Sequence, residues 1–254
     1  MSAGFHKYPH TPHLIWMGEG QPRADKVMTS SEVSDFLSGR VIVEEKVDGA
    51  NFGLSLGPDD RVRAQGRGNY LAPGRGHAQW NPLWPWLARR RAELESGLCG
   101  GLILYGEWCY AKHTVPYDAL PDWFLGFDIL DTVSRRFWSV DRRNEWLRER
   151  HLVPVPEVIR GRFYLNQIPT LLGKSFVGHV PMEGIYLRRD NGEWLEARAK
   201  VVGDAFKQQI EEHWTRHPVT PNALALSHVC TSPMVVEHRT PAVLQGSRSR
   251  PALG

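Results

Sequence analysis

The run EEKVDGANFG, residues 44–53, is the stretch of this sequence best suited to chemistry. It places Lys46 after the strand-forming residues 41–43 and before an Asp-Gly pair, and residues 54–56 are apolar again. A lysine in such a setting is usually a surface residue of an edge strand. The Asp-Gly turn, however, would hold this amine at the mouth of a hairpin. That position suits a nucleophile, which must be fixed relative to the atom that it attacks.

A lysine is a nucleophile only as the neutral amine, so the pKa of Lys46 matters. At an ordinary pKa near 10.4, about one molecule in a few thousand is neutral at pH 7. Burial in a strand and nearby cations both lower the pKa of a lysine. Arg198 and Lys200, at alternate positions of a later predicted strand, share one face and can supply those cations. Glu45 is predicted to face away from Lys46, whereas Glu44 faces the same way and opposes the shift.

Length and composition limit the class of protein. The chain has 254 residues, 41% of them hydrophobic, which suits one large domain or a domain of about 200 residues with an appendage. No apolar run reaches the roughly 18 residues of a membrane span, and residues 1–16 do not resemble a secretory signal. The three cysteines form no C-x-x-C pair. We therefore expect no membrane association, no disulfide framework and a cytoplasmic location.

The net charge of +3 is unevenly distributed. Residues 61–91 contain seven arginines and no acidic residue. Four aromatic residues lie among them, Tyr70, Trp80, Trp84 and Trp86. Arginines interleaved with aromatic rings are typical of surfaces that bind a phosphate backbone and stack on its bases. The alternative is a solvated helix whose tryptophans are core, which we favour for Trp84 and Trp86, so the arginines before Gly76 are the better candidates for polyanion contact.

Local patterns predict the elements that position these residues. Residues 1–29 read as an irregular arm, and residues 30–39 as a short helix with Ser30 or Ser31 as N-cap. The strand-like residues 40–47 and 51–56 predict a hairpin or strand pair, and residues 184–202 predict a hairpin around Asp190-Asn191-Gly192. Further strands are predicted at 101–110, 123–131 and 135–140. Further helices are predicted at 81–96, 141–151, 163–173 and 204–214.

These predictions give an organisation for the chain. Strands occur before, between and after helices in mostly antiparallel order, which indicates an α+β fold rather than a βαβ array. Residues 30–217 form the predicted domain, and residues 1–29 its N-terminal arm. From residue 218 to 254 the composition shifts to Pro, Ser, Thr and small residues, which predicts a weakly ordered tail.

Five further motifs follow Lys46 in the chain. They are GRGNYL with Arg67, LYGEW with Glu107, FLGFDIL with Phe127, MEGIYL with Glu183, and EARAKVV with Arg198 and Lys200. K-x-D-G alone recurs by chance, but the ordered set resembles the covalent nucleotidyltransferases, which are the polynucleotide ligases and mRNA capping enzymes. Asn51, where DNA ligases commonly carry Arg, makes residues 40–202 most similar to the ATP-dependent RNA ligase family, in its RNA ligase 2-like branch.

The resemblance implies a fold and a reaction. The fold is a nucleotidyltransferase domain of antiparallel sheets flanked by helices, without the usual C-terminal OB fold, because little chain follows Lys200. In the reaction, Lys46 attacks ATP to form lysyl-AMP, the AMP passes to the 5′-phosphate of a broken or nicked RNA, and a 3′-hydroxyl seals the strand. ATP is the expected donor because residues 1–39 are too short for the domain that binds NAD in bacterial DNA ligases.

The resemblance also implies roles for individual residues. Arg198 and Lys200 would act with Lys46 at the α-phosphate, and Glu183 would hold the divalent cation, Mg²⁺ or Mn²⁺. The remaining expected nucleotide-binding residues are Glu45, Val47, Asn51, Arg67, Glu107 and Phe127. Among these, Glu107 would bind the ribose, Phe127 would stack on the purine and Arg67 would hold a phosphate. The alternatives are an ordinary strand-end carboxylate for Glu107 and a core position for Phe127.

More than one function is compatible with these motifs. A capping-type guanylyltransferase shares K-x-D-G and covalent chemistry, but usually depends on an OB domain. A DNA-sealing ligase and a non-catalytic RNA-binding relative also fit the sequence. A repair partner protein could supply strand binding that the missing module would otherwise provide.

Overall fold

The computed structural model describes residues 4–18, 26–203 and 218–225. Within these ranges the α-helices are α1 (Ser30–Leu37), α2 (Leu83–Gly97) and α3 (Val140–Glu149). Short 3₁₀ helices span Ala78–Trp80 and Leu165–Leu171. The strands are β1 (Val41–Lys46), β2 (Ala50–Leu56), β3 (Val62–Gln65), β4 (Leu102–Trp108), β5 (Phe124–Asp131), β6 (Arg136–Phe137), β7 (Val153–Pro154), β8 (Glu157–Gly161), β9 (Gly184–Asn191) and β10 (Trp194–Val202).

The strands form two sheets, which confirms the predicted α+β class. One sheet has four strands in the order β10-β9-β1-β8, and the other has the order β3-β2-β4-β5-β6. All neighbours in these orders pair antiparallel, and β7 adds a parallel pair to β5. No helix among the described residues is both long enough and apolar enough to cross a membrane.

The hairpin predicted around Lys46 is wrong, because β1 and β2 belong to different sheets. β1 pairs with β8 and β9, whereas β2 pairs with β3 and β4. Val41 and Val43 pack in one core, while Phe52 and Leu54 pack in another. The K-x-D-G segment is therefore a crossing between sheets, and Lys46 stands at the point where the chain leaves the first sheet.

Helices cover the outer faces of both sheets. α1 buries Val33 and Phe36 against β1, β9 and β10, and α2 and α3 bury a larger core against the six-stranded sheet. The N-cap of α1 is Thr29, one residue before the predicted Ser30, because Thr29 and Glu32 form a reciprocal capping box. Trp86 is buried between α2 and the sheet, which confirms the predicted core position.

Of the other predicted elements, one hairpin is confirmed and one helix has a different geometry. The β9–β10 hairpin is confirmed, with a left-handed Gly192 (φ 59°) at its turn. Residues 163–173 contain a 3₁₀ helix with Pro169 inside it rather than an α-helix, because a proline lacks the N–H that an α-helical turn needs. The helix predicted at 204–214 lies outside the described residues.

A buried ionic cluster joins the two sheets and α3. The Glu44 carboxylate is ion-paired with Arg143 at 2.5 Å and with Arg188, and Arg188 reaches Asp128 at 2.7 Å. Arg198 approaches the other Asp128 oxygen at 3.0 Å. Except for the partly exposed Arg198, these side chains are at most 1% exposed. Glu44 is thus neutralised by arginines and is not directed at Lys46.

Residues 218–225, which belong to the predicted tail, pack on the domain. The Asn222 side chain accepts a hydrogen bond from the Tyr117 N–H at 2.9 Å and donates one to the Cys109 carbonyl at 2.8 Å. Backbone hydrogen bonds also join residues 220–225 to the loop that follows β4. This loop is therefore held from two directions, by the domain and by residues 218–225.

Candidate active site

A cavity of about 1160 Å³ lies between the two sheets. The four-stranded sheet contributes Lys46, Tyr186 and Lys200 to its lining. The six-stranded sheet and its loops contribute Ala50, Asn51, Arg67, Gln79, Trp80, Glu107 and His113, and the K-x-D-G crossing contributes Val47 and Gly49. Lys7, Tyr8, Pro9, His10, Thr11 and Lys26 of the arm complete the wall. The cavity volume is large enough for a nucleotide-sized ligand.

Lys46 lies at the end of β1 and is paired with Glu183. Its Nζ is 2.5 Å from the Glu183 Oε2, and both side chains are more than four-fifths buried. Burial alone lowers the pKa of Lys46, but Glu183, Tyr186 and the other nearby acidic groups outweigh it, so the pKa is raised. The predicted lowering is therefore wrong for this arrangement, in which Lys46 is protonated and held by a carboxylate.

The pKa of Glu183 is also raised, although Lys46 is adjacent. Burial is the main cause, and the Asp48 carboxylate adds to it, while the charge of Lys46 works in the opposite direction. Burial therefore keeps the pKa of Glu183 above its ordinary value even in contact with the Lys46 ammonium. A cation that approached Glu183 would compete with Lys46 for the same carboxylate.

Lys200 and Arg198 share a face of β10, as strand alternation predicts, but their side chains have different surroundings. Lys200 lines the cavity, where burial and then the charges of Lys46, Arg67 and Lys26 lower its pKa to about 8. Arg198 does not line the cavity, because its guanidinium bonds Asp128 and the Tyr8 hydroxyl.

Glu107 faces the cavity from β4, opposite Asn51 on β2. Burial raises the pKa of Glu107 to about 8, and the carboxylates of Glu183 and Asp48 contribute while Lys46 opposes the shift. This carboxyl group is therefore largely protonated at neutral pH and can donate as well as accept a hydrogen bond.

Asp48 and Gly49 shape the crossing between the sheets. The Asp48 carboxylate accepts hydrogen bonds from the Thr114 and Val115 N–H groups at 2.7 and 2.9 Å. A Cβ on Gly49 would lie 2.7 Å from the Trp108 carbonyl oxygen, so only glycine fits here. Close approach of β4, rather than the bend expected from the sequence, is thus the reason for this glycine.

Phe127 lies behind Tyr8 rather than in the cavity wall. Its ring is 6% exposed and meets the Tyr8 ring edge-on, with centroids 5.1 Å apart. Phe127 is the extra residue of a bulge in β5, since Gly126 pairs with Gly106 and Asp128 with Tyr105. The bulge lets both Phe127 and Asp128 contact Tyr8, whereas strand alternation predicts that they face opposite ways.

The remaining predicted residues divide into two groups. Val47, Asn51 and Arg67 line the cavity. Glu45 faces away from Lys46, as predicted, and its carboxylate accepts hydrogen bonds from the Ser175 hydroxyl at 2.6 Å and the Phe176 N–H at 2.8 Å. The Glu45 side chain therefore supports the segment before β9. Any contact between Glu45 and a nucleotide would involve its backbone.

Sequence reasoning missed several cavity residues. Tyr186 stands at the second position after Gly184 on β9, beside Lys200 on β10, and only the β9–β10 register marks it. Lys7, Tyr8 and Lys26 belong to the arm, whose irregular sequence gives no periodic signal. Their approach to the cavity depends on contacts with residues far along the chain.

The Glu183 carboxylate fits a divalent cation whose other ligands are mainly waters and substrate phosphates. Within the described part of the chain, no three His, Cys, Asp or Glu side chains are grouped so as to hold a metal ion. Glu183 nevertheless presents one buried carboxylate next to Lys46. Mg²⁺ typically takes one or two protein carboxylates together with waters and substrate phosphates, so a site of this kind needs no larger protein cage.

Solved structures with a similar fold include RNA ligases of Naegleria gruberi. A variant with ATP and Mn superposes with a TM-score of 0.58 and 19% identity over 80% of this chain and 64% of that chain. The ligase with pyrophosphate gives 0.57 and 19% over 81% and 64%. This chain thus spans less than two thirds of the length of these ligases. A search of curated protein sequences finds no match.

The two antiparallel sheets, with a strand-end lysine facing the cavity between them, define a nucleotidyltransferase-type domain. The family model described as RNA ligase matches residues 39–202, well over half of the chain. The chain therefore belongs to the RNA ligase family, and the predicted family is confirmed.

Proposed function

We propose that this protein is an ATP-dependent RNA ligase that works through a lysyl-AMP intermediate. The observation that carries the proposal is the meeting of Lys46, Lys200 and Glu107 in one cavity, with Glu183 in contact with the lysine. These residues come from β1, β10, β4 and the segment before β9, so the fold itself gathers them. Family membership supports the same reaction.

In the first step, the Lys46 amine attacks the α-phosphorus of ATP. A bond forms between Nζ and phosphorus, the bond to the β-phosphate oxygen breaks, and pyrophosphate leaves. The amine must first give up its proton and its contact with Glu183. Lys200, next to Lys46 in the cavity, neutralises charge on the α-phosphate as the bond forms. Positioning and charge provide most of the catalysis in such transfers.

Glu183 would hold the divalent cation, Mg²⁺ or Mn²⁺, that this reaction requires. A cation there supplies Lewis-acid stabilisation of the negative charge on the leaving pyrophosphate. What the chain contributes is a buried carboxylate within reach of Lys46.

The second and third steps transfer AMP to RNA and seal the strand. An oxygen of the RNA 5′-phosphate attacks the lysyl-AMP phosphorus and breaks the P–N bond, so Lys46 is regenerated. A 3′-hydroxyl then attacks the 5′-phosphate and expels AMP. Glu107, protonated at neutral pH by its surroundings, can hydrogen-bond the AMP ribose throughout. Exposed Arg67 and Arg75, beside the cavity mouth and in the loop that follows, suit RNA phosphates.

Label transfer tests this proposal directly. The protein is incubated with α-labelled ATP and Mg²⁺ and then denatured, and we expect covalent label in the wild type and in Lys174→Ala. Lys174 is an exposed lysine outside the cavity lining, so it is a matched control. Lys46→Ala should retain no label. Equal labelling of Lys46→Ala and wild type would disprove the assignment of the nucleophile.

Substrate choice separates RNA sealing from the rival functions. Preferential labelling by GTP would indicate a capping-type guanylyltransferase, and RNA binding without any label would indicate a non-catalytic relative. Nicked duplexes with RNA or DNA on the 3′-hydroxyl side decide between RNA and DNA sealing. We propose RNA repair as the biological role. The lack of cysteine pairing motifs supports a cytoplasmic setting. A partner protein that supplies strand binding should co-purify with the sealing activity.

A further inference from the structure

The N-terminal arm brings two lysines into the cavity from outside the part of the chain that matches the family. Lys7 and Lys26 both line the cavity, whereas the family match begins at residue 39. Neither lysine forms an ion pair with any other described residue. A charged amine in a cavity wall without a carboxylate partner is suited to an anionic ligand.

Lys7 is held in place by its two neighbours. The His6 carbonyl accepts hydrogen bonds from the Tyr105 hydroxyl at 2.6 Å and the Gln65 side chain at 2.8 Å, both on the six-stranded sheet. On the other side, the Tyr8 hydroxyl is bonded within the ionic cluster between the sheets. The backbone of Lys7 is therefore fixed on both sides, and its side chain lines the cavity.

Lys26 is held by an extension of the four-stranded sheet. The Lys200 N–H donates to the Pro12 carbonyl at 2.9 Å, so residues 12–14 lie alongside β10. The His13 N–H in turn donates to the Lys26 carbonyl at 2.7 Å. Lys26 thus stands one chain segment away from Lys200, and its charge contributes to the lowered pKa of Lys200.

The charge of the cavity exceeds what the α-phosphate needs. Its cationic lining residues are Lys7, Lys26, Lys46, Arg67 and Lys200. Glu107 is the carboxylate among the described lining residues, and Glu183 balances Lys46. Since Lys46 and Lys200 serve the α-phosphate, the surplus positive charge of the arm matches the remaining part of a nucleoside triphosphate, its two outer phosphates.

We propose that Lys7 and Lys26 bind the β- and γ-phosphates of the nucleotide and then the pyrophosphate released from it. This inference rests on the proposed function, since it assigns the outer-phosphate end of the same cavity. As the bond between the α-phosphorus and the bridging oxygen breaks, negative charge accumulates on pyrophosphate, and the two amines stabilise it. The arm is thus a working part of the first step of the reaction.

The test separates the step that involves pyrophosphate from the step that does not. Lys7→Ala and Lys26→Ala should each lower kcat/KM for adenylylation by ATP about tenfold, the usual effect of losing a charge-assisted hydrogen bond. The double variant should also raise the pyrophosphate concentration needed to reverse lysyl-AMP formation. Sealing of a strand supplied with a pre-adenylylated 5′-end should change much less. Lys7→Arg and Lys26→Arg should recover part of the loss, and Lys174→Ala serves as the matched control.

Two results would overturn the inference. Equal loss of adenylylation and of sealing from the pre-adenylylated strand would show that the arm acts only on folding of the site, and unchanged adenylylation would show that the lysines do not contact the phosphates. Calorimetric titration with pyrophosphate tests the same contact without any reaction. If the wild type forms no adenylate, the proposed function fails, but weaker pyrophosphate binding by the double variant would still support the subsite, and equal binding would reject it.

Discussion

The state of the Lys46 amine is determined by a residue far along the chain. The sequence indicates cations near Lys46, at Arg198 and Lys200, and so predicts a lowered pKa. In the structure, Arg198 is occupied by Asp128, and Glu183 contacts the amine at 2.5 Å. Lys46 is therefore protonated and ion-paired with Glu183, and it becomes a nucleophile only when this ion pair is broken.

Gly49 gives a prediction at the residue scale. A Cβ at this position would lie 2.7 Å from the Trp108 carbonyl and 3.0 Å from the Glu107 side chain, so Gly49→Ala must displace the crossing next to Lys46. We expect the adenylylation rate to fall about a hundredfold, because small misplacements of reacting groups have effects of that size. Gly173→Ala, where no atom lies within 4 Å of the added Cβ, should leave the rate unchanged. Similar rates for both variants would contradict this explanation of Gly49.

Tyr8 forms the aromatic part of the cavity wall near Phe127. Tyr8 lines the cavity and Phe127 packs behind its ring, so we expect a bound purine to stack on Tyr8 rather than on Phe127. We expect Tyr8→Leu to raise the ATP concentration needed for half-maximal lysyl-AMP formation more than Phe127→Leu does, in single-turnover assays. The reverse order would support the role that the sequence predicts for Phe127, direct stacking on the purine. Tighter ATP binding by Tyr8→Leu would show that Tyr8 occupies the place of the base.

At the scale of elements, the strands explain why the site forms where it does. β1 ends at Lys46 in one sheet and β2 begins at Ala50 in the other, so the short crossing lies at the edge of the cavity. The bulge in β5 turns Phe127 and Asp128 toward the arm together. Both features depend on which strands pair, and the paired residues Ile42 and Arg188 are 146 positions apart in the chain.

Asp190, at the end of β9, gives a pH prediction for the contact between β9 and α3. Its carboxylate accepts a hydrogen bond from the first N–H of α3, that of Val140, at 2.8 Å. Burial raises its pKa from 3.8 to about 6, against the opposing effects of the Val140 hydrogen bond and nearby arginines. Between about pH 4 and 6 the folded protein therefore binds more protons at Asp190 than the unfolded chain does.

This difference in proton binding determines how the free energy of unfolding changes with pH. The contribution of Asp190 to the free energy of unfolding is fully present below about pH 4 and is lost as the pH rises through 6. Asp190→Asn keeps an acceptor for the Val140 N–H and has no proton to lose. We expect the difference in midpoint between the variant and the wild type, from urea unfolding at several pH values, to grow in favour of the variant from pH 4 to 6.5. A difference independent of pH would contradict the assignment.

At the scale of the whole molecule, the ionic cluster fixes the two sheets relative to each other. Glu44 on β1 and Asp128 on β5 are bridged by Arg188, and Arg143 connects α3 to the same cluster. Because the cavity lies between these sheets, their spacing sets the distance between Lys46 and Glu107. The cluster thus supports the site without contacting a ligand.

Removing one charge from the cluster should destabilise the whole domain. Glu44→Gln leaves Arg143 and Arg188 buried with too little negative charge, which should cost about 3–5 kcal/mol of unfolding free energy. Glu193→Gln is a suitable control, since Glu193 is 72% exposed and 3.8 Å from Arg142, and its loss should cost at most about 1 kcal/mol. Urea denaturation of the two variants and the wild type measures both changes in unfolding free energy. Equal effects would show that the cluster does not hold the sheets together.

The residue pattern alone predicts the class of fold, the strands that carry the motifs and the candidates for the nucleophile and its neighbours. Those features follow from alternation, turn residues and an ordered set of motifs, all of which are local in the chain. It also identified Lys46, Asn51, Arg67, Glu107 and Lys200, which do line one cavity.

Other features are visible only in the folded chain: β1 and β2 lie in different sheets, Arg198 is turned toward Asp128, and Tyr8 covers Phe127. The approach of Lys7 and Lys26 to the cavity is another. All of these features have the same cause. Strand partners, buried ion pairs and ring contacts join residues widely separated in the chain, and their free energies depend on burial, which no local pattern of residues contains.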